Sequence, residues 1–494
     1  MASYVSLSAY SGTLRIPEFK GLNQYGDAIG LDPRYAMEVS NALTTEGVLR
    51  PMSEHTLLPQ TLPSPIETLA RLYRRWYTVN NQKEIFIAAS DGHLYWSVPG
   101  GDAWTKIELP DGWIGNRYQL NTWSYVTYEI NPEGSEAPVD VILLSNAKDG
   151  MIMVRGDDLT ASIVPTPKKF GVIARHAERI WGGAIDNDPD MLVYSAPYDP
   201  FDWAQNDEYP EDGAGDILQP SWDGDSFIAL VPFGSQLLAF KRTKVWRILG
   251  TNPGEYTFKE QYGGGTAYAN SVVVDGSRIL MLGRDGLLQY NGESVAPYYQ
   301  EYASGIWKRL NHAVLDNSFA CKFRDSYYCA VPLDESQDNN AVIIYNTEER
   351  TWLLREGIQV EAFLPMEDGL FYTSSTTPGR LWRWEEDSGK ACPMRWVSGW
   401  QDFGYKNIAK SGWEAYLTVE CDAEVELSLT IQTEKKAKAK TILFEPPPEG
   451  RYAKQRRVRF GGNGRRFRVI VESAGSTPWK IIGGLQIETE TDTD

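Results

Sequence analysis

The sequence predicts an all-β protein in three parts: an extended N-terminal arm at residues 1–65, an irregular β-propeller at 66–390 and a C-terminal β-sandwich at 391–494. Three observations support this. The 494 residues include 44 Gly and 28 Pro, which suits many tight turns between short strands. Up to about residue 390, short apolar segments alternate with polar turns. Beyond it, longer segments alternate apolar and polar residues, as half-buried strands do.

Composition and charge exclude several classes of protein. Hydrophobic residues make up 42 % of the chain, enough for real cores and too many for a disordered protein. The net charge is −18, so the whole molecule is not a nucleic-acid clamp, although an acidic wall can line a passage for DNA because repulsion prevents sticking. No segment has the ~18 apolar residues of a membrane span, and the N-terminus lacks signal-peptide features. We therefore expect neither secretion nor membrane insertion.

The N-terminal arm shows little periodicity. Four prolines between residues 51 and 65 interrupt regular structure. Asp32-Pro33 could begin a helix or belong to a loop. The arm has too few apolar residues for its own core, so we expect it to pack on the propeller, a neighbouring subunit or an assembly partner. Deletion of residues 1–30 is then expected to leave the fold intact and to weaken assembly.

The middle of the chain repeats a pattern of apolar strand, polar turn and short aromatic strand at intervals of roughly 40–60 residues, which is typical of propeller blades. Asp-Gly pairs at 91–92, 149–150 and 285–286 are expected to form type I′ hairpin turns. Six blades fit the spacing best, and seven remain open. Tryptophans recur at strand positions and are expected to pack between blades: Trp96, Trp181, Trp246, Trp352 and Trp382.

The C-terminal part contains five alternating segments in about ninety residues, the pattern of a compact β-sandwich. Its segment 435–468 is strongly basic within an acidic protein. This segment either docks onto an acidic neighbour or a phosphate backbone, or is a solvated strand face. The candidate interface residues are Arg456, Arg457, Arg459, Arg465, Arg466 and Arg468.

No segment carries a recognisable catalytic or metal-binding motif. The four His and four Cys are scattered, and we interpret the cysteines as reduced core thiols. Asp186, Asp188 and Asp190 alternate like calcium ligands, but the EF-hand Gly and Glu are missing, which favours a solvated loop. A carboxylate pair for glycoside hydrolysis stays open, because 66 acidic residues always offer pairs. We predict no enzymatic activity and no cofactor.

Two short segments and the overall arrangement resemble a known family. Asn41-Ala-Leu-Thr-Thr-Glu-Gly47-Val-Leu49-Arg50 is similar to that family's opening pattern of an Asn, a Gly and then Leu-Arg. Arg465-Arg-Phe-Arg-Val-Ile-Val, followed by Ile481-Ile-Gly-Gly-Leu-Gln-Ile-Glu488, resembles its closing pair of strands. The family is that of the tail hub proteins of short-tailed bacteriophages, also described as packaged-DNA stabilisation or nozzle proteins.

The resemblance implies a structural virion protein of the phage tail, assembled in the host cytoplasm. Six copies would form a ring below the portal and its head–tail adaptor, which retains the packaged genome and provides the channel for DNA ejection. The implied partners are the adaptor, other tail proteins such as a fibre and a tail needle or plug, and passing viral DNA without sequence specificity. Two alternatives stay open: a receptor- or glycan-binding tail protein, and a propeller-fold enzyme that acts on glycans.

Overall fold

Strands dominate the computed structural model of the protein, which describes residues 11–75, 82–111, 113, 123–132, 137–218, 224–261, 268–403, 406–447 and 453–491. Within these ranges the α-helix is limited to one turn, α1 (Ser304–Trp307). The 3₁₀ turns lie at Thr45–Gly47, Pro253–Glu255, Ala269–Ser271, Gln300–Ala303 and Leu315–Asn317. All sheets are antiparallel, as their strand pairings show.

The first strands of the chain pair mainly with strands far away in sequence. They are β1 (Ser11–Ile16), β2 (Ala36–Ser40), β3 (Ala42–Leu43), β4 (Arg50–Pro51) and β5 (Thr56–Thr61). β3 and β4 pair with each other, whereas β1, β2 and β5 each join a sheet made of later strands. Asp32-Pro33 forms a turn, closed by the Tyr35 N–H and the Asp32 carbonyl at 3.0 Å, and starts no helix.

Four consecutive four-stranded sheets, blades I to IV, follow the N-terminal strands. Blade I contains β6 (Thr68–Tyr73), β7 (Glu84–Ser90), β8 (His93–Ser97) and β9 (Thr105–Ile107). Blade II contains β10 (Ser124–Ile130), β11 (Val139–Asn146), β12 (Gly150–Arg155) and β13 (Ala161–Val164). Blade III contains β14 (Val172–His176), β15 (Arg179–Gly183), β16 (Met191–Tyr194) and β17 (Gly215–Leu218). Blade IV contains β18 (Phe227–Phe233), β19 (Gln236–Lys241), β20 (Val245–Leu249) and β21 (Thr257–Gln261).

Three further blades complete the propeller. Blade V contains β22 (Val273–Asp275), β23 (Arg278–Gly283), β24 (Gly286–Tyr290) and β25 (Val295–Pro297). Blade VI contains β26 (Phe319–Phe323), β27 (Ser326–Val331), β28 (Ala341–Asn346) and β29 (Thr351–Glu356). Blade VII contains β30 (Ala362–Met366), β31 (Gly369–Thr373) and β32 (Arg380–Trp384), with β5 of the arm as its fourth strand. The innermost strands contact one another in succession, except that β18 of blade IV meets the 3₁₀ turn Ala269–Ser271 just before β22 of blade V, and β30 of blade VII returns to β6 of blade I.

The propeller therefore has seven four-stranded blades within the described residues, where the sequence favoured six. The reason is the origin of blade VII. Residues 66–390 hold six complete sets of four strands and only three strands of the seventh. The outer strand comes from the arm, where Leu57 lies opposite Trp382. Joining an early strand to the last blade closes the ring by strand hydrogen bonds and removes a free sheet edge.

The three Asp-Gly pairs lie in hairpin turns, with one correction. Asp91 and Gly92 both have positive φ, 52° and 74°, as the type I′ turn requires. At the other two turns only Gly150 and Gly286 have positive φ. Those connections are therefore hairpins of another turn type.

Apolar side chains on both faces of each blade form the propeller core. One cluster joins blades I and II, and further clusters join blades II with III, III with IV, IV with V, and VII with I. Three of the five repeated tryptophans, Trp96, Trp181 and Trp246, pack in clusters that join blades, as expected. Trp382 instead lies parallel to Tyr372 of its own blade, and Trp352 packs on Trp307 and on Tyr345 of its own blade. Trp181 and Trp352 are fully buried, and Trp96, Trp246 and Trp382 are partly buried against the clusters.

The C-terminal sandwich consists of two packed sheets that also recruit the arm. Its own strands are β33 (Met394–Ser398), β34 (Lys410–Cys421), β35 (Val425–Thr433), β36 (Ala437–Phe444), β37 (Lys454–Gly464), β38 (Phe467–Ser473) and β39 (Trp479–Thr491). The four-stranded sheet has the order β1-β39-β34-β37, and the five-stranded sheet has the order β2-β33-β38-β35-β36. The arm thus supplies one edge strand to each sheet.

Residues 11–65 therefore pack on the propeller, as expected, and also supply strands to the sandwich, so they are not a separate extended unit. β1 pairs with β39 along its length, and Phe19 is fully buried with its ring edge-on to Trp396 at 5.1 Å. These contacts argue against the expectation that residues 1–30 can be deleted without damage to the fold. The sequence did not reveal this because edge strands that pair with distant partners need no periodicity of their own beyond a few residues.

Candidate interaction surfaces and an inter-blade pocket

Asn41 of the arm motif joins the propeller to the sandwich. Its backbone N–H donates to the Leu354 carbonyl of blade VI at 2.8 Å, and its carbonyl accepts from the Met52 N–H at 2.7 Å. Its side-chain oxygen accepts from the Glu356 N–H at 2.7 Å, and its amide donates to the Pro393 carbonyl at 2.9 Å. The residue has φ of 54°, a left-handed conformation that Asn tolerates better than most residues. Asn is therefore suited to this position by both backbone and side chain.

The remaining motif residues lie in the same junction. Gly47 has φ of 74°, and a Cβ there would lie 2.8 Å from the Glu18 Cβ, so a side chain is excluded. Leu49 is fully buried. Arg50 lies in β4 opposite Leu43. All three residues thus make their described contacts with other parts of the same chain.

The two segments that carry the family resemblance meet in space. Leu49 forms an antiparallel bridge with Ile481, whose N–H donates to the Leu49 carbonyl at 2.9 Å. More than four hundred residues separate them in the sequence. The opening motif and the closing strands are therefore parts of one structural unit.

Two of the candidate interface arginines are engaged within the sandwich. Arg457 and Arg459 project from β37 on the outer face of the four-stranded sheet, and both donate hydrogen bonds to Glu414 of β34, at 2.7 Å from each Nε. The Arg457 guanidinium also lies 5.7 Å from the centre of the Tyr416 ring. Hydrogen bonds from Tyr416 and then from Arg457 lower the pKa of Glu414. Part of the positive charge is therefore neutralised within the same chain.

Arg465 and Arg466 form the exposed turn between β37 and β38. Their backbone N–H groups donate to the Glu434 carboxylate at 2.6 and 3.0 Å. Burial alone would raise the pKa of Glu434, but these two hydrogen bonds outweigh it and the pKa is lowered. Among the described residues, neither guanidinium forms a hydrogen bond or an ion pair, whereas the Nε of Arg456 is buried. Of the six arginines, this pair is best placed for an external partner.

Arg468 lies on the opposite sheet. It donates to Gln432 at 2.9 Å, approaches Glu38 at 3.5 Å and stacks over the Trp400 ring at 5.1 Å. The six predicted arginines are thus divided among two sheet faces, one turn and one buried edge. The structure does not bring them together as a single patch.

The lysines of β36 have a role that the sequence did not indicate. β36 is the edge of the five-stranded sheet, and Lys438 and Lys440 lie directly opposite Ile431 and Leu429. Both lysines therefore emerge on the core-facing side of an exposed edge, and Lys440 lies over the Phe460 ring at 5.9 Å. Inward-pointing charges at an edge prevent another strand from adding to the sheet.

The Asp-rich loop of blade III is held by cations. Asp188 pairs with Lys168 at 2.9 Å, and Asp190 pairs with the buried Lys241. Within the described ranges, no group of three His, Cys, Asp or Glu side chains suits a metal ion. All four cysteines are free and buried, as the interpretation as core thiols requires. No helix in the described parts of the chain is long and apolar enough to cross a membrane.

An unpredicted cavity of about 540 Å³ lies between blades VI and VII. His55, Arg355, Tyr372 and Trp382 line it together with several polar side chains. The His55 Nδ1 lies 2.9 Å from the Tyr372 hydroxyl. Burial lowers the pKa of His55 to about 3, and the nearby Arg355 charge adds to this effect. His55 is therefore neutral at physiological pH.

Glu361, just before β30, has a pKa well above the ordinary value of a carboxyl group. Burial raises it to about 7, and repulsion from Asp338 contributes. A carboxyl group with such a pKa can exchange a proton near neutrality. Glu361 is not among the residues that line the inter-blade cavity.

Comparison with protein-family models finds no match, and no curated protein matches the sequence. Solved structures match in part. The WD40 domain of Neurospora crassa Pan2 has 8 % identity and a TM-score of 0.36, over 67 % of this chain and 98 % of that one. The extracellular domain of the putative hybrid two-component system BT4673 from B. thetaiotaomicron has 8 % identity and a TM-score of 0.44, over 89 % of this chain and 61 % of that one.

An exo-β-1,3-galactanase from Phanerochaete chrysosporium, solved with galactose, also matches, with 10 % identity and a TM-score of 0.23 over 76 % of this chain and 97 % of that one. Likenesses this distant carry no argument about activity. The assignment as a β-propeller with a β-sandwich follows from the strand pairing and from the closed succession of blades.

Proposed function

We propose that the protein is a structural subunit of a phage tail, one of six copies in a hub or nozzle ring below the portal and its adaptor. The observation that carries this proposal is the contact of Leu49 with Ile481. It joins the opening motif and the closing strands, which are the two segments that resemble the tail hub family. The two resembling segments lie at opposite ends of the chain, and their contact gives a structural reason why they would occur together in one family.

The cavity along the inner strands of the propeller is too small to serve as a channel for DNA. A cavity of about 740 Å³ is bordered by the innermost strands of blades II to IV and the turn before blade V. Such a volume suits a small ligand and not a DNA duplex. In the proposed ring, DNA therefore passes along the axis shared by the subunits, and the −18 charge of each chain discourages adhesion to the wall.

A ring of acidic subunits needs an attractive contact that repeats by rotation. Arg465 and Arg466 are the candidate cationic side of this contact, because their turn is exposed and their backbone is already fixed by Glu434. The acidic surface of the next subunit would be the other side. Exposed ion pairs are screened within ~8–10 Å near physiological ionic strength, so ring formation should weaken as salt increases.

The test is assembly of the full chain, measured by sedimentation and negative-stain imaging at low and high salt, alone and with a portal–adaptor complex. Neutralising both arginines (Arg465→Gln with Arg466→Gln) should impair ring formation and leave the thermal transition unchanged. Gln avoids a new repulsion with Glu434. The matched control neutralises Arg242 and Arg324, two exposed propeller arginines with side chains 61 % and 63 % accessible.

Absence of a ring under all these conditions, with or without the portal–adaptor complex, would contradict the proposal. Turnover on a panel of glycans would instead support the glycan-active alternative. Normal rings from the Arg465/Arg466 variant would retain the hub function but assign the subunit contact to another surface.

A further inference from the structure

The inter-blade cavity has the size and position of a ligand site. Its volume of about 540 Å³ lies within the range of pockets that hold small molecules. β29 of blade VI contributes Arg355, and β31 and β32 of blade VII contribute Tyr372 and Trp382. The arm adds His55, immediately before β5. The walls therefore come from two neighbouring blades and from the arm, which the closure of the propeller brings to them.

Arg355 is the feature of this cavity that needs an explanation. The whole residue, side chain and backbone together, is only 8 % exposed to solvent. Its Nη1 donates to the Glu356 carbonyl at 3.0 Å, while its Nε has no partner. The adjacent carboxylate, Glu356, pairs with Arg309 instead, and no carboxylate among the described residues forms an ion pair with Arg355. A buried cation without a counter-charge is strongly unfavourable unless something else supplies the charge.

The other two buried arginines of the described chain show how a structural arginine is accommodated. Arg74 donates to the carbonyls of Gln82 and Gly156. Arg179 donates to the carbonyls of Ser195 and Gly213 at 2.8 and 2.5 Å. Each is surrounded by backbone acceptors from separate segments. Arg355 has one such acceptor, from the adjacent residue, and it lines a cavity.

The rest of the lining is aromatic and hydroxylated. The Trp382 ring lies nearly parallel to the Tyr372 ring, with centres 6.2 Å apart and an angle of 11°. The hydroxyls of Ser374 and Thr376 are 2.8 Å apart at the wall. Aromatic faces suit the apolar faces of a sugar ring, and hydroxyl groups can exchange hydrogen bonds with those of a sugar.

We propose that this cavity binds an acidic monosaccharide, a sugar that carries a carboxylate or a phosphate. The oxyanion pairs with the Arg355 guanidinium, whose planar donors match both groups. The sugar ring lies against Trp382 and Tyr372. Glu54 also lines the cavity and is exposed at its rim, where its charge disfavours polyanions and favours a ligand with a single acidic group.

The test uses calorimetric titration of the full chain with glucuronate, glucose 6-phosphate and neutral glucose. The two charged sugars should bind, and glucose should bind at least about tenfold more weakly, because a hydrogen-bonded charge pair contributes that much. Arg355→Gln should lose the preference for the charged sugars. It should also melt no lower than the wild type without ligand, since it removes an unpaired buried charge.

Arg355→Lys is the second variant, because it keeps the charge and loses the planar donors; it should bind the charged sugars more weakly than the wild type. Arg383→Gln, on the neighbouring blade VII and outside the cavity, is the control and should bind as the wild type does. No binding of either charged sugar, or equal binding of glucose, would overturn the proposal. So would an Arg355→Gln variant that retains wild-type affinity for the charged sugars.

Discussion

Asn41 offers the sharpest test of how the two domains are held together. Replacing it with Ala removes the acceptor of the Glu356 N–H and the donor to the Pro393 carbonyl. Each half-buried backbone group left without a partner costs about 1 kcal/mol or more. Ala at a φ of 54° adds about 1 kcal/mol of backbone strain. We therefore expect Asn41→Ala to lower the free energy of unfolding by about 2–4 kcal/mol.

Two variants separate the backbone effect from the hydrogen bonds. Asn41→Gly relieves the strain but still lacks both side-chain bonds, so it should be about 1 kcal/mol more stable than Asn41→Ala. Asn187 is exposed in a propeller loop with a φ of 70°, and Asn187→Ala should show only the backbone effect. Urea unfolding followed by tryptophan fluorescence measures all three. If Asn41→Ala were no less stable than Asn187→Ala, the hydrogen bonds of Asn41 would not fasten the domains.

Three further predictions address the core, the ionisable carboxyl and the arm. Trp181→Ala should cost about 3–5 kcal/mol and Trp246→Ala less, because Trp181 is fully buried and Trp246 only partly so; thermal melting in the reverse order would contradict the inter-blade packing. For Glu361, the pKa of about 7 in the folded state exceeds its ordinary value, so wild-type stability should fall between pH 4.5 and 7, whereas Glu361→Gln should gain about 1–2 kcal/mol relative to wild type over that interval. Deletion of residues 1–30 should reduce soluble, protease-resistant protein, because it removes β1 and the buried Phe19; a truncated chain with an unchanged melting temperature would contradict this.

The fold class was predictable because each blade carries its own local signals. Strand β11 is buried along its whole length, and its central residues 141–144 appear in the sequence as a continuous apolar run. The turn at Asp91-Gly92 appears as a pair of residues that tolerate positive φ. β34 of the sandwich alternates buried and partly exposed positions, which is the period of a strand with one face in the core.

The blade number and the role of the arm were not predictable from such signals. β5 is a single strand of six residues whose partner, β32, lies more than three hundred residues later. Local pattern cannot assign a partner at that distance, since any short extended segment satisfies the same period. The prediction that the arginines form one surface patch was wrong for a related reason. Arg457 and Arg468 are close in sequence, yet they lie on different sheets, so charge density along the chain did not predict charge density on a surface.

The inter-blade cavity shows the same limit at the level of a site. His55, Arg355 and Tyr372 belong to the arm, blade VI and blade VII, and no spacing in the sequence links them. Strand pairing places them together: β5 closes blade VII and carries His55 to the Tyr372 hydroxyl. The closure that completes the propeller therefore also completes the cavity. Loop-closure entropy grows only slowly with chain length, so such a long-range closure is inexpensive at equilibrium although slow to form. A site built on this closure exists only when β5 is paired in blade VII, so its ligand would stabilise that pairing.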